Sequence, residues 1–249
     1  MLSETLAMES GHDWATACDV QQRFMQHPIP EIDAWDYAGR CRQMQALGGD
    51  CYNFTPLSGN RLALAVGDAS GKGLAAALMI SNVQSSLRTA ALFAGDDIAT
   101  IFDVVNRQVH ASSLANHYAT LFYGIFDDAT RTLRYVNAGH NPPLVLRRDG
   151  SLHWLETSGA PVGMFPDWTY CEECVALHAG DLIVAYTDGV VETANPLSEE
   201  WGVGGLKKAA EQNRGESAGD VLRGIFASMD DFTGGRQTDD ATIAVLRVH

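Results

Sequence analysis

Apolar residues recur along this chain in two rhythms, every second position in short runs and every third or fourth in longer ones, and each change of rhythm marks a predicted element. Up to about residue 30, Trp14, Ala17, Val20 and Phe24 keep helical spacing, and the prolines of "HPIP" forbid continuation. Strand character follows over 35–41, 51–56 and 61–66, the last two joined by the polar turn "LSGN". Two helices are predicted next, over about 73–92 and from Ile98 onward. In the second, Ile98, Ile101, Phe102, Val105 and Val109 share one face behind the capping run "GDD". Strands return over 119–126, 132–137, 143–146, 152–155, 171–177 and 181–186, linked by turn-rich segments. Among these, Asp149-Gly150 predicts a type I′ turn. Helices over about 203–212 and 218–229 and a strand over 241–248 complete the pattern.

Strands linked as hairpins, with helices gathered in pairs and no strand–helix–strand alternation, predict an α+β fold with mostly antiparallel pairing. About ten strands exceed one flat sheet, so two packed antiparallel β-sheets flanked by paired α-helices are expected. Residues 1–30 read as a helical extension and 31–249 as one domain.

Composition narrows the function classes. With 46% hydrophobic and 19% charged residues the chain is that of a folded globule. A formal charge of -14 disfavours nucleic acid and anionic membrane surfaces, which are bound through Lys and Arg. No apolar run approaches a membrane span of roughly 20 residues, and the start lacks the pattern of a signal peptide, so a cytoplasmic location is expected. The five cysteines are odd in number and scattered. Cys171 and Cys174 form an isolated pair with no second pair or finger-spaced histidine, a weak zinc signal.

The stretch "GDASGKG", Gly67–Gly73, sits between an apolar strand and an alanine-rich helix, as a phosphate-binding loop does. Its spacing is wrong for that loop, and Asp68 at its mouth would repel a phosphate while holding a cation. Asp50, Asp188, Asp239 and Asp240 also stand at ends of apolar strands, beside glycine or small polar residues. If brought together, carboxylates about 4 Å apart repel by roughly 4 kcal/mol per pair at an effective dielectric near 20, so a divalent cation would be needed among them. An all-oxygen set suits Mg²⁺ or Mn²⁺. Spacing alone leaves equally open that these aspartates are separate turn and capping residues.

The motifs "GGDCYNF", "VGDASGKGLAAALMISNVQSSLR", "YATLFYGIFD", "YVNAGHNPPLVL", "GAPVGMF", "GDLIVAYTDGVVET" and "DDATIAVLRV" resemble, in order, those of the SpoIIE/RsbU branch of the metal-dependent protein phosphatases, relatives of protein phosphatase 2C. The resemblance runs from about residue 30 to the end. It implies a two-sheet sandwich, a binuclear Mn²⁺ or Mg²⁺ centre, and hydrolysis of phosphoserine or phosphothreonine in a protein. Carried over by motif, Asp68 would bridge two metals, Asp188 and Asp239 would complete one, and Asp50 with the Ala69 carbonyl the other. Asp68 and Asp188 are the expected catalytic residues, with Asp240 behind the ligands. Asn53 stands where the family often has an acid.

Lys72 is read as starting the helix in solvent, and His140 as ordering a turn outside the site. Thr187 and Gly189 are expected to shape the turn that presents Asp188. The resemblance further implies a phosphorylated STAS-type anti-sigma-factor antagonist as substrate. An upstream regulator or second subunit would dock through residues 1–30 and the first helix pair. A binding module that recognises an anti-sigma regulator without turnover is the alternative, and its signature, loss of a ligand, is absent from the main aspartates. A nucleotide-binding protein built on the glycine loop is a third.

Overall fold

The computed structural model describes residues 2–25, 35–114 and 116–249, with side chains from residue 13 onward except Met25. Its strands form two five-stranded antiparallel sheets. One has the order β1 (Trp35–Arg42), β10 (Ala241–Val248), β9 (Leu182–Tyr186), β6 (Leu144–Leu146), β7 (Leu152–Trp154). The other runs β2 (Asp50–Leu57), β3 (Arg61–Ala69), β4 (Ala119–Asp127), β5 (Thr132–Ala138), β8 (Glu173–Ala176). The α+β sandwich expected from the pattern is the architecture observed.

The two-residue period of each strand sorts its side chains between layers. In β3, Leu62, Leu64 and Val66 enter the core between the sheets, where they meet Ile183, Ala185, Ala244 and Leu246. The alternate residues Ala63, Ala65 and Ala69 face outward onto α2 (Leu74–Ala94) and α3 (Ile98–Ser112). In β10, Ala241, Ile243 and Val245 likewise face α5 (Gly202–Asn213) and α6 (Ala218–Thr233). Fully burying each large aliphatic side chain contributes about 1.5–3 kcal/mol, and the alanines let the helices lie close. The Asp97 carboxylate accepts from Thr100 N at 3.0 Å and Ser217 Oγ from Asp220 N at 3.2 Å, capping α3 and α6.

The β6–β7 turn and the segment after β9 depart from the sequence pattern, and other details refine it. In α1 (Leu2–Met25), Trp14, Val20 and Phe24 are exposed, and among the described side chains of this helix Gln21 is the buried one, 4% exposed. The helix lies against α2 and β2. The predicted stop at "HPIP" lies outside the described residues. At the β6–β7 hairpin Gly150 has φ +88°, whereas Asp149 is absent from the left-handed positions. Gly150 N donates to Arg147 O and Arg147 N to Ser151 O, so a type I turn followed by a glycine bulge replaces the I′ turn. A one-turn helix, α4 (Asp188–Val191), follows β9, where no helix is expected. Cys171 and Cys174 are both exposed and free.

Candidate active site

Antiparallel register carries the scattered aspartates to one end of the sandwich. Asp50 opens β2 and pairs directly with Asp68 near the end of β3. In the other sheet β9 ends at Tyr186, just before Asp188, and the antiparallel β10 begins after Asp239 and Asp240. Two threonines join the sheets. Thr187 Oγ1 and Thr242 Oγ1 each donate to Asp50 Oδ2 at 2.7 Å, and Thr187 Oγ1 accepts from Thr242 N at 2.9 Å. Asp50 is thereby fixed and buried, 2% exposed.

The other acids have their own donors. Asp240 accepts from Met44 N at 2.7 Å and Gly49 N at 2.8 Å, tying the loop between β1 and β2 to the start of β10. Asp239 Oδ2 pairs with Lys72 Nζ at 2.5 Å. Lys72 precedes α2, whose N-cap is Gly73, and is exposed to solvent as expected, with the ion pair to Asp239 added by the fold. Asp68 and Asp188 are partly buried between these groups. His140 is buried, with Nδ1 2.9 Å from Thr120 Oγ1, behind the Asp68 main chain.

Electrostatics shows that the acids share one field. Burial raises the Asp68 pKa above the ordinary carboxylate value, and the charges of Asp50, Asp188, Asp239 and Asp240 raise it further. Asp50 is raised by burial and by Asp240 and Asp188, against the two threonine hydroxyls. Asp188 is raised by burial and Asp239, while Gly189 N–H and Lys72 oppose the shift. Glu192, one turn beyond, is raised first by Asp188. Burial lowers His140 to about 4, so it is neutral near pH 7 and is no proton donor there.

Close glycines leave room at this cleft. A Cβ on Gly49 would lie 3.3 Å from the Ala69 carbonyl oxygen and 3.5 Å from Asp68 Oδ1. Both oxygens thus face the space that Gly49 keeps open, and the cleft is lined further by Gly71, Lys72, Asp239 and Asp240. Among the described residues no three His, Cys, Asp or Glu side chains close around one point as a ready metal cage. The donor chemistry nevertheless fits hard divalent cations: carboxylates and a main-chain carbonyl, with mutual repulsion still acting on Asp68.

Pattern reading did not anticipate Thr242 or Gln21. Thr242 had a usable signal, a hydroxyl inside the apolar strand "ATIAVL". Gln21 had none, because a glutamine between helical polar residues reads as solvent-facing. In the fold its Nε2 donates to Gly48 O at 2.7 Å and its Oε1 accepts from Gly48 N at 3.2 Å, one residue from Gly49.

The profile of the family Stage II sporulation protein E (SpoIIE) matches residues 58–249. The chain belongs to the SpoIIE family. This SpoIIE-family chain is 28% identical over 261 residues to protein IcfG of Synechocystis sp., a match spanning 92% of the chain but only 40% of IcfG. It is also 28% identical over 234 residues to the phosphoserine phosphatase RsbU of Bacillus subtilis, covering 93% of the chain and 68% of RsbU. The SiaA-PP2C domain of Pseudomonas aeruginosa superposes with a TM-score of 0.83 at 19% identity, over 98% of this chain and 99% of that one. The sandwich is therefore the protein phosphatase 2C fold implied by the motifs. No helix among the described residues is long and apolar enough to cross a membrane.

Proposed function

We propose that this SpoIIE-family chain is a metal-dependent protein serine/threonine phosphatase. One observation carries the reading: Asp50, Asp68, Asp188 and the pair Asp239–Asp240, from distant parts of the sequence, stand at one glycine-lined end of the sandwich, where the others oppose ionisation of Asp68. The likeness to a relative named phosphoserine phosphatase supports the reaction class. Asp68, Asp188, Asp239, the Ala69 carbonyl and Asp50 would hold two Mn²⁺ or Mg²⁺ ions, with Asp50 contributing through the oxygen its threonines leave free. Such ions, when bound, lower the pKa of a shared water and offset charge on the phosphoryl oxygens.

The chain's own residues do the positioning. Asp68 must be ionised to serve, Thr187 and Thr242 keep Asp50 from turning, and Asp240 sets the distance between the β1–β2 loop and β10. Lys72 is an exposed positive charge at the rim, paired with Asp239, that would exchange this partner for a phosphate. Replacement by methionine removes a cation that competes at Asp239, so Lys72→Met is expected to tighten Mn²⁺ binding about 3- to 10-fold in calorimetry. An unchanged or weaker affinity would show that Lys72 does not compete there. The reading itself is tested with p-nitrophenyl phosphate. Hydrolysis with Mn²⁺, abolished by EDTA and restored by added metal, is expected; hydrolysis indifferent to EDTA contradicts it.

The substrate proposed is a phosphorylated STAS-type regulator, in keeping with the family resemblance, and the N-terminal helix is proposed as a coupling segment. Its exposed Trp14, Val20 and Phe24 offer a stripe to a partner or second subunit, while Gln21 grips Gly48 beside the cleft. Gln21→Ala leaves the Gly48 main chain without these bonds, costing about 1–3 kcal/mol of local order. A several-fold fall in kcat for p-nitrophenyl phosphate is expected. Activity unchanged in Gln21→Ala and in a variant lacking residues 1–28 would remove the coupling role.

A further inference from the structure

Beside the acidic cleft lies a second, uncharged pocket of about 540 Å³ whose lining includes His110, Leu114, His117, Tyr118, Met164 and Phe165. The two share a seam at Ser70. Ser70 N donates to Tyr118 O at 2.8 Å, and Ser70 Oγ accepts from Tyr118 N at 3.0 Å. Asp68 and Ala69, immediately before Ser70, belong to the cleft, whereas Tyr118 belongs to the pocket. Ala69 also pairs with Ala119, which bonds to Val162 in both directions, placing the pocket's far wall at Gly163–Phe165.

That wall is built to hold its shape. The buried Asn106 accepts from Gly163 N at 2.8 Å and donates to Phe165 O at 2.8 Å. Nδ1 of His110 lies 2.9 Å from Gly163 O. Gly163 has φ +85°, and a Cβ there would meet Val109 at 2.7 Å, so the loop is seated against α3 as only glycine allows. Yet the rigid pocket shows apolar surface to solvent: Leu114 is 76% exposed and Phe165 49%, with Trp168 stacked beside Phe165 at 5.8 Å. Exposed apolar groups on a fixed frame next to a reaction centre mark a contact with another molecule.

Resting on the phosphatase reading above, we infer that this pocket docks an apolar side chain of the phosphoprotein substrate, a few residues from its phosphorylated serine or threonine. The Ser70 seam puts this surface within reach of residues flanking a phosphoserine whose phosphate sits at the cleft. The pocket's chemistry selects what it takes. Among the described residues no Lys, Arg, Asp or Glu lines it, and a His110 ring nitrogen is already engaged by Gly163 O. A charged residue would lose its hydration there without a counter-charge, whereas Leu, Ile or Met would bury carbon against Leu114, Met164 and Phe165.

The test uses phosphoserine peptides of an alanine and glycine background in which one leucine is placed at each position from four before to four after the phosphoserine. Hydrolysis is measured with Mn²⁺ at pH 8, with p-nitrophenyl phosphate as the substrate that has no flanking chain. One leucine position, or two adjacent ones, is expected to raise kcat/KM about 10-fold through KM. In Leu114→Asp and in Phe165→Ser that gain is expected to vanish, with p-nitrophenyl phosphate turnover within twofold of the unsubstituted protein. A gain that persists in both variants, or no gain at any leucine position while p-nitrophenyl phosphate is turned over, overturns the docking pocket alone. No turnover of any phosphoester overturns the phosphatase reading and the pocket's role with it.

Discussion

Asp68→Asn is expected to reduce phosphate release about 10³-fold and, in EDTA at pH 8, to make the protein more stable. The loss of rate, roughly 4 kcal/mol of barrier, follows from removing the carboxylate at the centre of the proposed metal site. The gain in stability follows from its neighbours, since burial and four surrounding acids oppose its ionisation. An acid whose folded pKa lies above its unfolded value of about 4 binds its proton longer in the folded state, so stability falls as pH rises from that value toward the raised one. Asparagine carries no charge and escapes that fall. The difference should be near zero at pH 4 and about 1–2 kcal/mol at pH 8, kept small by partial solvent screening. Thermal denaturation of both proteins in EDTA at the two pH values measures it. A variant less stable at pH 8 than the unsubstituted protein would mean that Asp68 is satisfied as it stands.

Gly189→Ala should be more damaging than its size suggests. A Cβ on Gly189 would lie 1.9 Å from the Asp240 carbonyl oxygen and 3.2 Å from Asp239 Cβ. The obstacle is main chain, so α4 and the start of β10 must separate, which moves Asp188 away from Asp239. Overpacking of this kind costs about 3 kcal/mol, and an ångström of misplacement at a reaction centre can cost about 10²-fold in rate. Gly204→Ala in α5 is the matched control. Nothing lies within 4 Å of a Cβ there, and alanine in a helix is expected to stabilise by about 0.5–1 kcal/mol. Denaturant unfolding and Mn²⁺-dependent hydrolysis of the two variants separate the effects. Equal behaviour would contradict the close packing of the two acid-bearing segments.

The layers of the sandwich were legible because hairpin-linked strands too many for one flat sheet come with helices gathered in pairs, and the start of α3 was legible because Asp97 caps it with a side-chain oxygen. The strand-end aspartates were legible as positions, but their meeting was not. It depends on how the two sheets stack and on the Thr187–Asp50–Thr242 clasp between them, whose bonds span 137 and 192 positions and which no local pattern encodes. Helix α1 was legible as a helix from the spacing of Trp14, Val20 and Phe24, which are exposed, but its hold on the domain was not: Gln21 meets the main chain of Gly48 with both amide atoms. Lys72 is exposed at the helix start, as expected, but its ion pair was not legible, because its partner Asp239 is 167 positions away. The β6–β7 turn shows the limit of dipeptide rules, since Asp-Gly serves a type I turn with a bulge as readily as a I′ turn.

The most direct measurement is inorganic phosphate released from a phosphoserine-bearing STAS-domain protein by the purified chain, with Mn²⁺ and again with EDTA. Multiple turnovers in Mn²⁺, none in EDTA and recovery when metal is restored are predicted. Tight binding of the phosphoprotein with no phosphate released under Mn²⁺ or Mg²⁺, or release that survives EDTA and Asp68→Asn, would contradict the account.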